Sequence, residues 1–182
     1  MYIPTEAEFS AGIQTYNQHE LRGHSYFEAL ERIRQGWGDP VAVESGIRLL
    51  LRRWHLNFYR FGMYEQEPVY ECLHKNDALI NALRTRSIES LGPEDEAPII
   101  SLFCEFSIAL RGGQKGQQQS PVATAKAMDL LAPAFLPLWD NPIALVYGYS
   151  LMMATDYVAF CWQMKELARS VERYVSPGDD RT

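Results

Sequence analysis

Val43, Ile47, Leu50, Leu51, Trp54, Phe58 and Phe61 recur at i, i+4, i+7, i+8, i+11, i+15 and i+18, a stripe that predicts one core-facing helix of about five turns. Asp39 and Pro40 stand immediately before it as N-cap and first helical residue. Weaker stripes of the same period flank it. Phe9, Ile13 and Tyr16 follow a Thr5/Glu8 capping box and predict a helix from Thr5 to about His19. Phe27, Leu30 and Ile33 or Arg34 predict a second from Ser25 to Gln35, stopped by the glycines on either side of Trp37. Val69 to His74 and Ala78 to Leu91 read as a broken helical pair, with Asn76 or Asp77 as the second N-cap. Gly92, Pro93 and the acidic run Glu94 to Glu96 suit the first turn of another helix, whose core face is Ile99, Leu102, Phe103, Phe106 and Leu110. A last long helix is expected over residues 149–175, with Met153, Tyr157, Phe160, Cys161, Met164, Leu167, Ala168 and Val171 on its stripe.

One stretch breaks the amphipathic rule. From Ser120 to Leu131 the chain is apolar on nearly all sides, with Lys126 and Asp129 as the polar exceptions, and a helix without a polar face belongs inside the core. A turn containing Pro133, Pro137 and Trp139 then leads through Asp140 to a second helix that Asn141 and Pro142 can start, ending near Gly148. The rest of the chain is expected to pack around this helical hairpin. No run of alternating β-branched residues occurs, so the fold class is all-α, one multi-helix domain over residues 1–175. The Gly/Gln-rich stretch 112–120 reads as a mobile surface loop, and the tail 176–182 as disordered.

Composition narrows the classes of function. Hydrophobic residues make up 47% and charged residues 22%, the balance of a folded domain rather than a disordered one. The formal charge of −6 supplies no global field toward nucleic acid or an anionic membrane, so binding of that kind needs a local patch. Such a patch is offered beside the central stripe, where Arg48, Arg52, His55 and Tyr59 lie at helical spacing as a basic ridge able to hold a phosphate or a carboxylate. The alternative for the same residues is a solvated flank whose arginines pair with glutamates such as Glu44. Cys72, Cys104 and Cys161 are far apart and set among apolar residues, which reads as reduced core thiols of a cytoplasmic protein. His19 and His24 are five apart and the other histidines are isolated, so neither a metal face nor a cofactor is expected. A signal peptide and a membrane span are likewise not expected.

Within the hairpin, Pro121, Val122, Lys126, Ala127, Pro137, Asp140, Ile143 and Gly148 stand in an order that resembles the helix-hairpin-helix segment of the DNA glycosylase superfamily. The likeness spans Ser120 to Gly148. It implies an α-helical, DNA-glycosylase-like fold in which Lys126 matches the family's nucleophilic lysine and Asp140 its catalytic aspartate. Ser120, Pro121 and Ala123 occupy the turn where that family places glycines. From the residues alone, Lys126 is also explained by an ion pair with Asp129 or by snorkelling to the surface, and Asp140 by a helix cap in competition with Asn141. The segments YFEALERIRQGWG, LLLRRWHLNFYRFG and SPVATAKAMDLLAPAFLPLWD together resemble an uncharacterised family of bacterial all-helical proteins, a likeness that carries no function.

Three functions follow as expectations. The first is a non-enzymatic binding module for nucleic acid or protein acting through the basic ridge. The second is a glycosylase or lyase using Lys126 and Asp140, and the third a homo-oligomeric interaction subunit.

Overall fold

Helix boundaries fall where the chain supplies caps and breakers. The computed structural model describes residues 3–19, 23–55, 59, 64–112, 118–149 and 153–174. Helix α1 spans Glu6–His19 behind the Thr5/Glu8 box: the Thr5 N–H donates to Glu8 Oε2 at 2.8 Å, and the Glu8 N–H reaches back to Thr5 Oγ1 at 3.4 Å. Helix α2 covers Gly23–Gln35 and ends in the Gly36–Gly38 turn, where Gly38 takes a φ of +94°. Only glycine adopts that conformation without strain. Asp39 then caps α3, Pro40–Trp54, its carboxylate accepting from the Val41 N–H at 3.0 Å. The α3 ladder closes at His55, whose N–H donates to Leu51 O. Of the extended stripe, Phe58 and Phe61 lie outside the described residues.

Asn76 separates α4, Glu67–Lys75, from α5, Asp77–Arg84. A 3₁₀ turn, Pro93–Asp95, opens α6, Glu96–Ala109, which buries Ile99, Leu102, Phe103 and Phe106. Gly112 and Gln118 form an isolated antiparallel bridge at the base of the expected mobile loop. The loop's tip, residues 113–117, and the tail from 175 lie outside the described residues. Helix α7, Pro121–Leu131, α8, Asn141–Val146, and α9, Ala154–Val171, complete the order. Among the described residues there is no strand, and no helix is long and apolar enough to cross a membrane.

Helix α7 is the centre of the packing. Every residue from Val122 to Leu131 is buried, with α2 and α3 on one side and α6 on another. Polar groups on such a helix need partners inside the protein. The Thr124 hydroxyl meets that of Ser107 on α6 at 3.0 Å. Past the C-terminus of α7, Arg84 Nη1 donates to Leu131 O at 2.8 Å. The following turn buries Phe135, Leu136 and Trp139, and Tyr157 of α9 donates its hydroxyl to Pro137 O at 3.0 Å.

Four expectations from periodicity are corrected. Phe27 is 65% exposed, because α2 turns Ser25, Ala29 and Ile33 inward and so presents the neighbouring column to water. Cys104 is exposed on α6, whereas Cys72 and Cys161 are buried. The last helix starts at Ala154 rather than Tyr149, since Gly148 at φ +80° turns the chain out of α8. Met153 is its exposed N-cap residue. On the same helix Lys165 is buried and donates its ammonium to Leu91 O.

Candidate functional site

The chemistry-bearing side chains gather along a polar seam where α2, α3 and α7 meet. Ser120 is the N-cap of α7, its Oγ accepting from the Ala123 N–H at 3.2 Å. The same Oγ lies 2.9 Å from His55 Nε2 at the end of α3. With Oγ accepting from the backbone, its proton is free to go to the imidazole. Burial and, to a lesser extent, the charge of Lys126 together push His55 down to about 4, so the ring is neutral at pH 7. One turn into α7, Lys126 is only 4% exposed and holds its ammonium 5.4 Å from the centre of the Trp54 ring, a cation–π approach. Trp54 donates its indole N–H to Ser25 Oγ at 3.0 Å and stacks on Tyr26 with ring centres 5.9 Å apart. Tyr26 in turn lies close enough to the Asp129 carboxyl to favour its ionised form.

Asp129 is the most unusual group of the seam. Burial pushes its carboxyl up to about 7, against the opposing effect of the nearby Tyr26 hydroxyl. Its Oδ2 has no hydrogen-bond partner among the described residues. The expected Lys126–Asp129 ion pair does not form among them either. Lys126 meets α3 through Trp54 while Asp129 meets α2 through Tyr26.

Asp140 stands apart from the seam. Its Oδ1 accepts from the Ile143 N–H at 3.2 Å as the N-cap of α8. Among the described residues no hydrogen bond or ion pair joins it to Lys126. Asn141, the competing cap, is the first residue of the helix instead.

The basic ridge divides into inward and outward halves. Arg48 Nε pairs at 3.2 Å with Glu44, a fully buried carboxylate on the preceding turn. His55 points to Ser120, and Tyr59 is buried, donating its hydroxyl to Leu110 O at 2.7 Å. Arg52 is the member of the four left exposed. One helical column therefore mixes interior and surface contacts, because α3 is covered by α2, α4 and α7 along different parts of its circumference.

A concave surface lies elsewhere. A cleft of about 660 Å³ opens between the Gly36–Gly38 turn and the α4–α5 corner. Its floor is Val43, Leu73, Ile80 and Leu131, all buried. Trp37 forms a wall, held by its indole N–H donating to Asn81 Oδ1 at 2.8 Å. Arg84 stacks on that ring with its guanidinium carbon 3.9 Å from the ring centre. Asn81 Nδ2 donates to Asp77 Oδ1 and to Asp77 O, each at 3.0 Å. Nothing in the hydrophobic periodicity singled out Trp37 or Asn81. The available signal was a large aromatic between two helix-stopping glycines, which must find a partner across the fold or lie open to water.

Among the described residues no group of three or more His, Cys, Asp or Glu could hold a metal ion. No protein-family model, curated protein or solved structure matches the chain.

Proposed function

We propose that this chain is a non-enzymatic binding module and that its ligand seat is the cleft beside Trp37. The observation carrying this reading is the cleft itself: about 660 Å³ over an apolar floor, with a wall already fixed by hydrogen bonding and stacking. Ligand sites are concave, mostly apolar and largely pre-formed, and this volume lies within their usual range. The ridge is the weaker surface for a polyanion, since Arg48 is neutralised by Glu44 and His55 is neutral and inward. Ala78 is an exposed lining residue on α5, so Ala78→Phe fills the cleft without entering the core. A ligand-observed NMR screen of small fragments should find binders of the parent that Ala78→Phe releases. If no binder is sensitive to Ala78→Phe, the cleft is not the seat. Gel shifts with short DNA and RNA at low salt should show no retention, and retention that Arg52→Ala abolishes would move recognition to the ridge.

A second reading, a lyase of the glycosylase type, is favoured by one observation, the desolvation of Lys126 against Trp54. A desolvated lysine amine can attack the aldehyde carbon of an abasic sugar and lose water to give an imine, which borohydride reduces to a stable amine. Asp140 is occupied as a cap, so in this reading Asp129, one turn from Lys126, supplies the carboxyl. Borohydride trapping on an abasic-site duplex should then give an adduct that Lys126→Met abolishes. Absence of an adduct ends this reading and leaves the first intact.

A further inference from the structure

Resting on the reading of the cleft as a ligand seat, we infer that it takes a neutral, electron-rich aromatic molecule in preference to a charged one. The wall decides against cations. Arg84 is not among the residues lining the cleft, yet its guanidinium carbon sits 3.9 Å from the Trp37 ring centre, and we take it to cover the face turned away from the cleft. A cation on one face of an indole uses the negative potential of the ring and makes the other face a poor partner for a second cation. The same polarisation favours an electron-rich ring stacked on the open side, in the offset or edge-on arrangements that aromatic pairs prefer.

The rim decides against anions. Lys75 is the cation among the lining residues, and its ammonium is 2.9 Å from Glu105. Asp77 contributes a carboxylate of its own. The positive end of α3, which also opens here at Pro40, is already capped by Asp39. An anion entering this cleft would leave water without gaining an unspent positive partner, a cost no contact here repays. The floor contributes only apolar side chains, and the Asn81 amide and Trp37 N–H are turned to each other. Hydrogen bonding therefore adds little selectivity, and ring stacking with apolar burial supplies the affinity. At about 660 Å³ the space suits a molecule larger than one side chain.

Three probes of one shape separate the possibilities: indole, its cationic analogue tryptamine and its anionic analogue indole-3-acetate. Isothermal titration of the full chain should rank indole about tenfold or more ahead of both, an increment of about 1.4 kcal/mol. Ala78→Phe should abolish binding of all three while circular dichroism and melting temperature stay at the parent values. Arg84→Met removes the charge behind the ring and should narrow the indole-to-tryptamine ratio, a selectivity change that mere loosening of the fold does not produce. If a charged analogue binds tightest and Ala78→Phe still releases it, the preference for neutral ligands is wrong and the seat stands. If none of the probes binds saturably, or binding ignores Ala78→Phe, the seat itself is wrong.

Discussion

A buried carboxyl and a half-buried imidazole have opposite effects on stability. Asp129 is raised to about 7 from an ordinary carboxyl value of 3.8. Its neutral form is favoured by folding, so its contribution is present below pH ~4 and lost as pH rises through 7. His55 is lowered to about 4 from 6.5, so its contribution is present above pH ~6.5 and lost as pH falls through 4. Between pH ~4 and ~6.5 the two slopes oppose, each with a ceiling of about 1.4 kcal/mol per pH unit. Urea titrations across pH 4.5 to 7.5 should show Asp129→Asn gaining on the parent with rising pH. His55→Gln should lose ground over the same range. Profiles that run parallel to the parent would mean that neither group changes its proton affinity on folding. Asp140 has a simpler role: Asp140→Ala should cost about 1 kcal/mol through the lost α8 cap. In hydrogen exchange the loss should show as faster exchange confined to α8, with the seam unaffected.

At the scale of the elements, close approach matters more than composition. A Cβ placed on Gly46 would meet Ile33 Cγ1 at 2.5 Å and the backbone oxygen of Ala29 at 2.9 Å, so α2 rests directly on the α3 backbone. Gly46→Ala should therefore destabilise despite the ~1 kcal/mol that helix propensity favours alanine, because separating the two helices costs about 1–3 kcal/mol. Gly12→Ala in α1, where nothing lies within 4 Å, should instead stabilise slightly. Equal effects at the two glycines in thermal melts would contradict the packing. The same contrast explains what periodicity could and could not reveal. The burial of α7, the Asp39 and Thr5 caps and the α6 stripe were legible, because each depends on residues within a few turns. Phe27 was misplaced because a short amphipathic helix has two adjacent apolar columns, and Gly46 chooses which one faces α3. Of the candidate residues, His55 was singled out by helical spacing and Lys126 by the family resemblance. Their partners Trp54, Tyr26 and Ser120 come from three separate segments, and no local pattern joins them.

At the scale of the molecule, internal polar groups among the described residues are largely spent on holding helices together. Leu145 and Val146 on α8 are exposed large apolar residues, so light scattering should be run beside the ligand titrations. Dimerisation that Val146→Glu reverses would place self-association at that helix. The unequal placement of the three thiols provides a clock for breathing of the core. Cys104 is open to solvent, while Cys72 and Cys161 are buried, the first pushed up to about 12 by desolvation and the second pushed up likewise. Maleimide should modify one position quickly in the native state. The two slow positions then react only when α4 or α9 opens, so their separate rates time how often each side of the molecule comes apart.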